Sequence, residues 1–127
     1  MTDPYRAPAA ADAMVAAERG KFVLAAVGAF LAAGYWGIVA TLNATTGVGG
    51  SNLVLPVVLI GLYAVRGWQI LQGDVNAARR ILWLHGVGGV VAIVLVMTAS
   101  GLFAGLQAFK VLVHAFGGFA AWRATRV

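Results

Sequence analysis

Three ionisable side chains stand well inside apolar runs of this chain: His85, Lys110 and His114. Gln107, Lys110 and His114 are three and four residues apart, a spacing that puts them on one face of a helix. An amide, an amine and an imidazole in line make a polar stripe along an otherwise apolar element. An amine near the middle of a membrane costs ~2.5–3.5 kcal/mol on insertion scales, so it marks a functional site by default. No Asp or Glu lies inside any apolar run to balance it. The partner open to Lys110 is therefore a polar neighbour such as Tyr35, Thr41 or Asn43, water, an anionic ligand, or an acid of another protein. We take Lys110, His114, Gln107 and His85 as the candidate ligand- or partner-binding residues.

A second constellation uses the two histidines alone. Leu84-His85-Gly86-Val87-Gly88-Gly89 and Val113-His114-Ala115-Phe116-Gly117-Gly118 share a pattern: apolar residue, His, two residues, Gly pair. Two imidazoles on facing helices can bind a haem b iron axially, and glycines nearby make room for the macrocycle. Spans over 81–98 and 102–122 put His85 ~6 Å and His114 ~12 Å from the same end, a mismatch of ~6 Å. The plainer expectation is two neutral imidazoles hydrogen-bonded within the bundle, with the Gly pairs as packing surfaces.

Other chemistry is excluded. The chain has no Cys, so no disulfide, thiolate metal site or thiol nucleophile. No metal-binding set, HExxH, GxSxG, phosphate-binding Gly loop or dinucleotide fingerprint is present. With no carboxylate inside an apolar run, a carrier built on a membrane Asp or Glu is also excluded. We expect no enzyme and no cofactor, with haem b as the alternative.

These residues need apolar helices to position them. The chain has 127 residues, 61% of them hydrophobic and only 10% charged. A soluble domain carries about 25% charged residues. One crossing takes ~20 apolar residues, so the stretch 81–122 is long enough for two, broken at Thr98-Ala99-Ser100-Gly101. The sequence predicts an all-α, polytopic four-helix transmembrane bundle. A tail covers 1–21 and is expected to lie frayed at the headgroups. Spans cover about 22–42, 53–72, 81–98 and 102–122. Between them lie an uncharged Gly-rich loop over 43–52, where Ser51 or Asn52 can cap the next helix, and a charged turn over 73–80. Pro56 falls in the first turn of its span, where its missing N–H costs little.

Small residues mark the packing surfaces. Ala25, Ala29, Ala33 and Gly37 are four apart, as are Gly88 and Ala92, and Gly101 and Gly105. We expect all eight at helix interfaces.

The net charge of +5 could suggest nucleic acid, but the distribution argues against it. Arg6, Arg19, Lys21, Arg66, Arg79, Arg80, Arg123 and Arg126 all fall at one end of a four-span bundle. Trp68, Trp83 and Trp122 fall near the same end, as an interfacial belt would. Excess Lys and Arg face the cytoplasm, so both termini are expected there, in a bacterial inner membrane. The function this implies is a small non-enzymatic membrane protein, either an accessory subunit or a self-associating bundle. Its partners are lipid and other membrane helices. The alternatives are a small oligomeric transporter or channel for an anion or neutral solute, using Lys110 and His114, and a haem b electron-transfer subunit using His85 and His114.

Overall fold

The structure, a computed structural model, describes the backbone of residues 6–47 and 52–126 and the side chains from 13 onward. It is all-α. Helix α1 spans Arg6–Thr46, α2 Val54–Leu71, α3 Val75–Thr98 and α4 Gly101–Thr125. All four are long and apolar enough to cross a membrane.

The helix α1 is longer than its apolar run requires. At ~1.5 Å per residue its 41 residues reach ~60 Å, twice a hydrocarbon core of ~30 Å. Of the tail 1–21 expected to fray, the described residues 6–21 form its first turns instead. The stretch 7–17 is mostly Ala, the strongest helix former, and Pro8 sits in the first turn, where it is tolerated. A Glu18–Lys21 pair, 2.5 Å apart, bridges one further turn. At the other end α1 runs past 42 into the predicted loop. Thr41, Thr45 and Thr46 turn their hydroxyls back to the carbonyls of Gly37, Leu42 and Thr41's own turn: Thr41 Oγ1 bonds Gly37 O, Thr45 Oγ1 bonds Thr41 O and Thr46 Oγ1 bonds Leu42 O. Gly47, at φ +67°, then ends the helix with its N–H on Asn43 O, 3.3 Å away.

The α2–α3 connection is tighter than the predicted turn over 73–80. Gly73, at φ +85°, donates to Ile70 O at 2.8 Å, and Asp74 N–H donates to Gln69 O at 3.1 Å. That pair of bonds closes α2 in a Schellman motif. The Asp74 carboxylate accepts from Asn76 and Ala77 N–H at 2.8 and 3.0 Å. Its cap starts α3 six residues earlier than expected. At the start of α2 it is Asn52 that accepts, from Val54 N–H at 3.0 Å; Ser51 lies outside the described residues.

The helices alternate in direction. The helix α4 packs extensively on both α1 and α3, α2 packs on α1, and α2 and α3 touch sparsely. The core is built largely from alanines: Ala25, Ala26, Ala29 and Ala32 of α1 against Ala77, Ala78, Ala120, Ala121 and Ala124, with Tyr63, Ile70 and Ile81 as its largest members. The outer surface is apolar, with Val54, Trp83 and Met97 exposed by 71, 77 and 82%. Apolar residues inside and outside together are what lipid as solvent requires.

The small-residue expectations divide. Ala25, Ala29 and Ala92 are fully buried, and Ala33 is half-buried against the core. Gly37 is not packed, and nothing lies within 4 Å of where its Cβ would be. Each step of four residues overshoots a helical turn by about 40°, so a ridge at 25, 29, 33 and 37 rotates by about 120° along its length. The buried face instead follows Ala32 and Tyr35. Gly101 and Gly105 face outward, with no neighbour within 4 Å of a Cβ. At φ +59°, Gly101 serves the turn rather than an interface.

Candidate functional site

The axial mismatch expected between the histidines does not exist. His85 lies ten residues after Val75, and His114 eleven before Thr125, so both stand ~15 Å in from the basic end. The correction follows from the Asp74 cap and from three further residues at the end of α4. His85 Nδ1 and His114 Nδ1 are 3.0 Å apart, and the rings meet edge-on at 5.2 Å between centroids. One nitrogen must donate and the other accept, so two neutral imidazoles here take opposite tautomers. Tyr63 of α2 covers the pair, its ring 5.3 Å from His85 and 6.2 Å from His114.

Each histidine is seated on a glycine of the facing helix. A Cβ on Gly88 would stand 2.5 Å from His114 Nε2. A Cβ on Gly117 would run into the His85 ring. The arrangement is reciprocal because α3 and α4 are antiparallel about Gly101: Gly88 and His114 are each thirteen residues from it, His85 and Gly117 each sixteen. Gly117 also touches α1, where a Cβ on Gly28 would stand 2.6 Å from Gly117 Cα. Three helices thus close at one level. Gly28 was not among the expected packing residues. The mirror spacing of the His and Gly positions relates α3 to α4 only and does not mark the α1 residue that meets Gly117. Both Nε2 atoms are buried without a hydrogen-bond partner. Two axial imidazoles on one iron would stand ~4 Å apart, given metal–nitrogen bonds of ~2 Å, with the macrocycle between the rings.

Lys110 belongs to a different place. It is only 5% exposed, and its Nζ lies over the Trp36 ring, 4.7 Å from the centroid. It lines a cavity of about 410 Å³ at the uncharged end, with Gln107, Tyr35, Trp36 and Asn43. Gln107 is 6% exposed, and its Oε1 is buried with no partner; the Trp36 indole N–H is likewise unpartnered. The single face read from the spacing therefore holds, since Gln107, Lys110 and His114 are all buried. The three do not form one site. His114 and His85 line a separate groove of about 300 Å³ on the outside of α3 and α4. Trp36, Tyr35 and Asn43 come from α1; Tyr35 and Asn43 are among the polar neighbours expected for Lys110, and Trp36 joins them without a signal in the spacing of α4.

Among the described residues no group of three His, Asp or Glu could hold a metal ion. Comparison of the chain with protein-family models, with curated proteins and with solved structures finds no match.

Proposed function

We propose that this chain is a non-enzymatic integral membrane protein, an accessory subunit or self-associating bundle, that holds an acidic group at Lys110. One observation carries the reading: a buried cation with a cavity beside it and no acid on it. Among the described residues the only ion pair is Glu18–Lys21. A mid-membrane amine costs ~2.5–3.5 kcal/mol, and a cation–π contact such as that with Trp36 returns about 0.5–2 kcal/mol. The deficit is what an anionic partner would remove.

The geometry favours holding over conduction. A transport path using Lys110 and His114 would run them along one cavity, and they line two. The basic residues at one end support termini in the cytoplasm of a bacterial inner membrane. Outward glycines such as Gly34, Gly86 and Gly105 offer close approach to further membrane helices. The direct Nδ1···Nδ1 contact supports reading the histidines as a clasp rather than as haem ligands. A Soret band in purified protein, lost in both His85→Ala and His114→Ala, would reverse that.

The test is Lys110→Met, which removes the charge and keeps the apolar stem. The expected variant folds, melts no lower in detergent, and loses its co-purifying partner or ligand. Lys110→Arg restores this in part, since a guanidinium is larger and planar. A Met variant that melts higher and keeps every partner and ligand refutes the reading.

A further inference from the structure

We propose that the cavity at the uncharged end binds a lipid-like anion: a negatively charged oxygen group with a hydrogen-bond donor beside it, carried on an apolar tail. The proposal rests on the reading of Lys110 as a cation that holds an acidic group, and it names the chemistry of that group.

The floor of the cavity sets the head. Lys110 supplies a cation with N–H donors. Gln107, one turn earlier on α4, brings a buried Oε1 that no group donates to. An anion with acceptors only would satisfy Lys110 and leave this neutral carbonyl oxygen orphaned beside a negative charge. A buried acceptor without a donor costs about 1–3 kcal/mol. A ligand with a hydroxyl or amide N–H next to its anionic oxygen satisfies both residues at once.

The walls set the body. Val39, Leu42, Leu55, Phe103 and Leu106 line the cavity above the polar floor. Such walls fit hydrocarbon, and Asn43 and Asn52 are the amide side chains that line the cavity beside them. The volume of about 410 Å³ equals roughly a dozen waters at ~30 Å³ each. That accommodates a headgroup and the first part of a tail, so the remainder must extend outside.

The place of the cavity sets the route. It lies between α2, through Leu55 and Pro56, and α3, through Val91 and Leu95. These are the two neighbouring helices that touch least. Leu55 and Val91 are 55 and 45% exposed on the apolar outer surface. The gap therefore opens sideways, toward the hydrocarbon in which a tail would lie.

Two sources share this chemistry: a phospholipid with a hydroxylated anionic headgroup, and a free acylated amino acid. The experiment uses the full chain, delipidated in a neutral detergent. Tm is measured against rising phosphatidylglycerol, N-decanoylglycine and phosphatidylcholine. The expected result is a concentration-dependent rise in Tm with one or both anionic amphiphiles and none with phosphatidylcholine. A response to phosphatidylglycerol alone assigns a membrane lipid. A response to N-decanoylglycine alone assigns the free acid. The rise should vanish in Lys110→Met and at least halve in Gln107→Leu. Leu55→Trp, which fills the lateral gap and leaves the floor intact, should also abolish it, while Val23→Leu on the opposite outer surface should retain it. Equal shifts with neutral and anionic lipid, or an unchanged shift in Lys110→Met, overturn the proposal. If neither amphiphile shifts the wild type but Lys110→Met still sheds an acidic protein partner, the lipid-like ligand is wrong and the holding role of Lys110 stands. A Lys110→Met variant that melts higher and keeps every partner and ligand removes both.

Discussion

Gly28→Ala should separate two helices that Gly34→Ala leaves alone. Both glycines lie inside α1, so both substitutions gain the same intrinsic helix preference, about 1 kcal/mol. The environments differ. A Cβ at Gly34 has nothing within 4 Å, whereas a Cβ at Gly28 would stand 2.6 Å from Gly117 Cα. Ordinary carbon–carbon contact is ~3.5–4.0 Å, so α1 and α4 must part by about 1 Å. The obstacle is backbone, with no rotamer to swing away. The helix α4 cannot retreat freely either, because the His85 ring rests against the other side of Gly117. Overpacking of this kind costs about 1–3 kcal/mol. The propensity gain cancels between the two variants, so their difference reports the clash alone. Gly34→Ala should be stabilised by about 1 kcal/mol over wild type, and Gly28→Ala should fall about 1–3 kcal/mol below Gly34→Ala. The assay is reversible unfolding in mixed micelles, with thermal melting as a second readout. A Gly28→Ala protein as stable as Gly34→Ala would show that α1 and α4 do not meet at Gly117.

Other outcomes follow from the same geometry. Gly88→Ala should cost about 1–3 kcal/mol, because the new methyl displaces His114 and breaks its bond to His85, while Gly86→Ala, with open space around it, should not destabilise; equal unfolding free energies would remove the seat. Asp74→Ala should cost about 1 kcal/mol through the lost cap of α3, read by the same unfolding assay, and no loss would mean that the Asn76 and Ala77 N–H groups find other acceptors. In intact cells, a membrane-impermeant thiol reagent should label Cys placed at Ser100 and spare Cys at Asn76; labelling at Asn76 would invert the topology.

The sequence by itself determined the number of helices, their apolar character and the end at which the charge collects. Each of these is a local or additive property. A run of apolar side chains favours lipid wherever it packs, and the predicted span 53–72 matches Val54–Leu71 to within a residue at each end. The common face of Gln107, Lys110 and His114 was legible for the same reason, since 3.6 residues per turn fixes it without reference to any neighbour. Helix ends were less legible. They depended on single groups whose bonds the apolar pattern does not report: the Asp74 carboxylate starting α3 and the hydroxyls of Thr45 and Thr46 prolonging α1.

The partners of those buried groups were decided only in three dimensions. In lipid, helices are not sorted by hydrophobicity, and they meet where their surfaces allow the closest approach. Gly28, Gly88 and Gly117 set that approach, and through it they bring His85 onto His114 and leave Lys110 to Trp36 and the cavity. Which small residues meet depends on helix rotation and on the volumes facing them. That is why Ala29 is buried while Gly37 and Gly105, equally small in the sequence, look outward.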